Sequence, residues 1–223
     1  MKYLIFDAGP IISLTMNGML GILEGLKKNF DGEFVLTSQV KKEVIDNPLK
    51  IKRFELEAIQ VKNLLDNGTF KMANEIISPQ KIEKETANII KITSSFLRTT
   101  DTREKIKIFH DGEASCIAFS KLCNVENVIV TDERSVRWFS ESPERLEELM
   151  ERKLHTPLTQ DESIPRNFKN LRYIRSSELL FIAYKKGLIP FKDKQTLDAL
   201  LYSVKFKGTA ITTQEIEEMK KLV

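Results

Sequence analysis

Cysteine and histidine are scarce, with two of each in 223 residues. Cys116 and Cys123 fall on one expected helix, separated by about 10 Å of rise, which is too far for a disulfide. Both read as reduced thiols of a cytoplasmic chain. No CxxC pair or Cys/His spacing is present to hold zinc, and a cysteine nucleophile has no base at hand. No apolar run reaches the length of a membrane span, and the first residues lack the uninterrupted apolar stretch of a signal peptide. The expectation is therefore a cytoplasmic protein with no membrane partner. A long basic block is also missing, and the net charge of +3 permits nucleic acid as a partner without demanding it. Neither repeats nor low-complexity segments occur.

Short apolar runs alternate with helical patterns along the chain. Tyr3–Phe6, Phe34–Thr37 and Val128–Thr131 read as buried strands and as parallel neighbours in one sheet, because apolar runs of this length alternate with helical patterns. Such a chain is α/β, a three-layer α/β/α sandwich around a central parallel sheet, in a single domain over 1–223. The segment from about 54 to 105 is expected to be a mostly helical insertion packed outside that sheet. Ser78-Pro79 opens its longest helix with proline in the tolerated first position. A helical extension is expected over about 176–223. Thr156–Asn167, with Pro157 and Pro165, reads as a loop.

Carboxylates recur where such a fold puts its ligand crevice, outside the carboxyl ends of the strands. Asp7 ends the first strand. Asp132-Glu133 end the third. Asp111 reads as the N-cap of a helix whose first turn contains Glu113, near the positive end of its dipole. Glu43 lies in angle between Val40 and Val44, so it shares their inward face and needs a cation, a metal or a donor beside it. If these acids converge, even a pair at 4 Å costs about 4 kcal/mol at an effective dielectric near 20. A divalent cation removes that penalty, and oxygen-only ligands with room for water favour Mg2+ or Mn2+ over zinc. Such a site suits phosphodiester hydrolysis. No Ser-His-Asp set is apparent. A phosphatase of the haloacid dehalogenase type would need a second acid two residues beyond Asp7, where Gly9 stands.

With these residues in view, the chain resembles the PIN-domain nucleases, in particular a prokaryotic PIN-like subgroup with a GEAEAI-type motif and a KxxGLIP tail. The pieces that match are Phe6-Asp7-Ala8-Gly9-Pro10-Ile11-Ile12, Val40-Lys41-Lys42-Glu43-Val44, Gly112-Glu113-Ala114-Ser115-Cys116-Ile117-Ala118, Val130-Thr131-Asp132-Glu133-Arg134-Ser135-Val136-Arg137 and Ala183-Tyr184-Lys185-Lys186-Gly187-Leu188-Ile189-Pro190. The resemblance implies a ribonuclease dependent on Mg2+ or Mn2+, either a toxin of a toxin–antitoxin pair or an RNA-processing enzyme. RNA is its expected partner, with an antitoxin protein and a homodimer as family expectations. By position the catalytic acids are Asp7, Glu43, Glu113 and Asp132, and the metal ligands Asp7, Glu113, Asp132 and Glu133, with the choice between Asp132 and Glu133 left open. Lys121, Arg134 and Arg137 are candidates for RNA phosphate contacts. The alternative is a non-catalytic PIN-like module that binds RNA or protein.

Overall fold

The computed structural model describes residues 2–161, 163–190 and 193–223. Its strands are β1 (Tyr3–Phe6), β2 (Glu33–Leu36), β3 (Phe70–Met72), β4 (Leu97–Thr99), β5 (Asn127–Val130), β6 (Leu158–Gln160) and β7 (Tyr173–Ile174). The helices are α1 (Ala8–Met16), α2 (Ile22–Lys28), α3 (Ser38–Lys41), α4 (Glu55–Asp66), α5 (Pro79–Thr93), α6 (Asp111–Leu122), α7 (Arg134–Glu141), α8 (Pro143–Leu154), α9 (Ser176–Lys185), α10 (Lys194–Lys205) and α11 (Thr213–Lys220). A π-helical turn, Lys42–Asp46, continues α3.

Five strands form one parallel sheet in the order β3-β2-β1-β5-β7. The strands are short and apolar because both faces are covered, so alternation with polar residues has no use. Ile5, Phe6, Val35 and Val130 are fully buried. Rings of Phe6, Phe34 and Phe70 knit the first three strands, with Phe6 lying 5.1 Å from Phe34 and 5.2 Å from Phe70. Crossovers run from β1 outward to β2 and β3, then return past β1 to β5 and β7. Helix α1 packs against both α4 and α9, whereas α6 packs against α5, β1 and β5. This is the three-layer α/β/α arrangement expected, with β1 flanked in register by β2 and β5: Phe6 faces Leu36 on one side and Val130 on the other. The reversal of winding falls between β1 and β5, and the crevice it opens lies at their carboxyl ends.

The region 54–105 differs in part from a helical addition. Helices α4 and α5 occupy most of it, but Phe70–Met72 joins the central sheet as a parallel edge strand beside β2. The stretch from α4 to β3 is thus one more turn of the βαβ winding. Leu97–Thr99 pairs antiparallel with Leu158–Gln160 in a separate two-stranded sheet, so the loop expected from Thr156 contains a strand. Leu158 is buried there and anchors it. Phe139 lies beneath, with Phe96, Phe109 and Phe168 each about 5 Å away. The C-terminal helices close the other side, α9 against α1 and α2, with α10 between α9 and α11.

Candidate functional site

At the switch point Asp7 leaves β1 and caps α1. Its backbone is extended, its Oδ1 accepts from Ala8 N–H at 2.8 Å and its Oδ2 accepts from the Thr131 hydroxyl at 2.9 Å. The side chain is buried, and burial is the main force that pushes its pKa up to about 6. The two hydrogen bonds oppose the rise, and Glu43 and Glu133 add to it.

Glu113 comes from the first turn of α6. Asp111, expected as the cap, is the first helical residue instead. His110 has the extended capping conformation, because Glu113 at the third position reaches back to accept His110 N–H at 2.8 Å. Burial pushes Glu113 up to about 8, with further upward contributions from Asp7, Glu133 and Glu43. Two contacts tie this helix end to the strand ends: Ser115 Oγ lies 2.6 Å from Thr37 Oγ1, just past β2, and Cys116 Sγ donates to Phe6 O of β1, while Ser115 also donates to Gly112 O within the helix.

Glu43 stands in the π-helical turn that follows α3, a helix capped by Thr37 rather than by Ser38. Val40 and Val44 turn into the core as their spacing predicts, but Glu43 reaches solvent at the rim instead of sharing their buried face. Its carboxyl group packs on Gly112, whose backbone N–H supports it. A β-carbon at position 112 would come within 2.7 Å of Glu43 Oε1, so glycine is required for this approach. Partial burial raises the Glu43 pKa, the Gly112 bond and His110 oppose the rise, and Asp111 adds to it.

Asp132 and Glu133 separate after β5. Glu133 lines the cleft, with its backbone N–H donated to the Thr131 hydroxyl at 3.2 Å. Asp132 is turned away and buried. It accepts from Ser176 N–H at 2.9 Å, from the Ser176 hydroxyl at 2.8 Å and from the Thr209 hydroxyl at 2.9 Å. Burial raises its pKa, and these three donors oppose the rise. Asp7, Glu43, Glu113 and Glu133 therefore meet around one cleft of about 510 Å3, joined by Lys107, His110, Asp111 and Ile12, while Asp132 does not line it.

The candidate phosphate contacts lie elsewhere. Lys121 is in the last turn of α6, roughly 12 Å of helix from Glu113, with its ammonium 4.5 Å from the Phe168 ring centre and 3.7 Å from Glu85. Its proximity in sequence to the acids came from sharing a helix, whose two ends point to opposite edges of the sheet. Arg134 and Arg137 border a second hollow beside α7. The basic groups that do line the cleft, Lys107 and His110, went unremarked in the sequence. The available signal was their place just before a helix start that bears two acids.

Among the described residues, no group of three or more His, Cys, Asp or Glu side chains is arranged to hold a metal ion. The donor set still suits one in kind, since the cleft presents carboxylate oxygens from five side chains, Asp111 included. Asp7 and Glu113 now use oxygens on backbone N–H groups, so ligation would require these side chains to reorient. No protein-family model matches the chain, and comparison with curated proteins and with solved structures finds no match.

Proposed function

We propose that the protein is a metal-dependent ribonuclease of the PIN type, which hydrolyses RNA phosphodiester bonds at the acidic cleft. The observation that carries this reading is the gathering of Asp7, Glu43, Glu113 and Glu133 around one cleft at the carboxyl ends of β1 and β5, without a guanidinium among them. A folded protein without a use for them has no reason to hold four carboxylates there, since each opposes ionisation of its neighbours. The resemblance in motif order to PIN nucleases supports the same reading.

Asp7, Glu113 and Glu133 are the residues that would hold Mg2+ or Mn2+, with Glu43 at the rim. When bound, such an ion supplies a water of lowered pKa and stabilises charge on the phosphate. The chain's own groups do the rest. Thr131 and Ala8 set the direction of the Asp7 carboxylate, and Gly112 seats Glu43. In the ion-free protein Glu113, with its pKa near 8, keeps its carboxyl proton at neutral pH. Lys107 stands at the rim, where an incoming phosphodiester would first meet positive charge, with His110 beside it.

The test is cleavage of single-stranded RNA with Mg2+ or Mn2+ and with chelator, for the parent, Asp7→Asn and Glu113→Gln. The expected outcome is metal-dependent cleavage by the parent that falls by at least about 100-fold in either variant, and a metal-induced rise in melting temperature larger in the parent than in Asp7→Asn. Equal metal shifts together with cleavage by Asp7→Asn defeat the reading. RNA binding without cleavage at any metal concentration would favour a non-catalytic PIN-like module.

A further inference from the structure

Beside α7 lies a hollow of about 390 Å3 that takes no part in the acidic cleft. Four arginines line it, Arg134, Arg137, Arg145 and Arg175, against two acids, Glu141 and Glu215. The arginines differ in how their charge is met. Arg175 is buried and committed, bonded to Glu178 and, at 2.8 Å, to Glu215. Arg137 shares its charge with Glu141 at 3.5 Å. The Arg134 guanidinium lies over the Trp138 ring, 5.1 Å from its centre, and among the described residues neither Arg134 nor Arg145 has an ion-pair partner. Two guanidiniums without counter-ions therefore face a concavity whose lining already carries an excess of positive charge. Guanidinium forks match the oxygens of a phosphate, and the cation–π contact with Trp138 restrains one fork before any ligand arrives.

We infer that this hollow is a phosphate-binding pocket for a single-stranded nucleic acid, held by Arg134 and Arg145 with Arg137 in support. Arg134 directly follows Glu133, which lines the cleft, and Arg137 lies one helical turn further on. A strand seated here thus lies at the start of the helix that follows the cleft residue Glu133. The identity of the strand rests on the nuclease reading; the anion site rests on the guanidiniums alone.

Trp138 is the chain's one tryptophan, so its emission reports on this pocket. The experiment titrates the full-length protein, in chelator, with three probes: an RNA decamer bearing a 5′-phosphate, the same decamer without it, and inorganic phosphate. The parent, Arg145→Ala and Arg134→Lys are compared, with unchanged thermal melts as the check on folding. Arg134→Lys keeps the charge and removes the fork. The expected result is a saturable change in Trp138 emission with a decamer, with affinity at least tenfold weaker in Arg145→Ala and clearly weaker in Arg134→Lys. A preference for the 5′-phosphorylated decamer assigns the pocket to a strand end, and equal binding of both decamers assigns it to an internal phosphodiester. A response to inorganic phosphate alone, no saturable response, or a response that both substitutions leave intact overturns the inference. Cleavage with a silent pocket would remove this inference and spare the nuclease. Binding without metal-dependent cleavage would do the reverse.

Discussion

Asp132 and Glu133 are consecutive residues that belong to two different electrostatic regimes. On the side of Asp132, every buried charge has an answer. Ser176 and Thr209 donate to Asp132, and next to them Arg175 binds Glu178, Glu215 and the carbonyl of Ala210. Burial alone would raise Glu178 and Glu215, but hydrogen bonds and the Arg175 guanidinium outweigh it and leave both below the usual carboxylate range. On the side of Glu133, Asp7 and Glu113 have only neutral donors, and their pKa values stand at about 6 and about 8. The first cluster binds the C-terminal segment to the sheet. The second leaves its charge unanswered, as a site awaiting a cation would.

The largest expected effect comes from breaking the answered side. Arg175→Met strands two glutamates that share a nearly buried guanidinium, and it should cost about 3–5 kcal/mol in chemical denaturation. A loss under about 1 kcal/mol would mean that solvent already screens this cluster.

Next in size is the pH response of the other side, in chelator. Asp7 and Glu113 keep protons in the folded chain at pH values where the unfolded chain has released them, so folding binds protons and stability falls as pH rises. The window opens near the unfolded carboxylate values and closes at about 6 for Asp7 and about 8 for Glu113. Across pH 5–8 the parent should lose roughly 2–4 kcal/mol. Glu113→Gln retains an acceptor for His110 N–H and should flatten the part above pH 6. Urea midpoints measured along this range decide it, and a parallel decline in the variant would show that Glu113 is not the group that titrates.

The smallest effect compares the neighbours themselves. Asp132→Ala leaves Ser176 N–H and two hydroxyls without an acceptor and should cost about 1–3 kcal/mol. Glu133→Gln, at the cleft, should change metal-free stability by no more than about 0.5 kcal/mol. Equal losses would erase the distinction between the two regimes.

The parallel core was legible in the residues because β1, β2 and β5 are short apolar runs, bounded by turns and separated by helical periods. The edge strand Phe70–Met72 and the pair Leu97–Thr99 with Leu158–Gln160 have three residues each, too few to express a period. Asp7 and Glu113 could be placed from a strand end and a helix start, both local features. The fates of Asp132 and Glu133 could not, because the partners that turn Asp132 inward are 44 and 77 positions away. Lys121 shows the converse limit: membership of the right helix does not indicate which end of it a residue occupies.

The bond from Thr131 to Asp7 joins residues 124 positions apart in sequence, and that separation sets a schedule for synthesis. At ordinary rates of translation, roughly 6–25 s pass between the appearance of Asp7 and that of its partner. Throughout that interval β1 lacks β5, and neither the Thr131 hydroxyl nor Glu133 yet exists. The acids therefore cannot be assembled on a young nascent chain. The protein gains its cleft only after most of the sheet has left the ribosome.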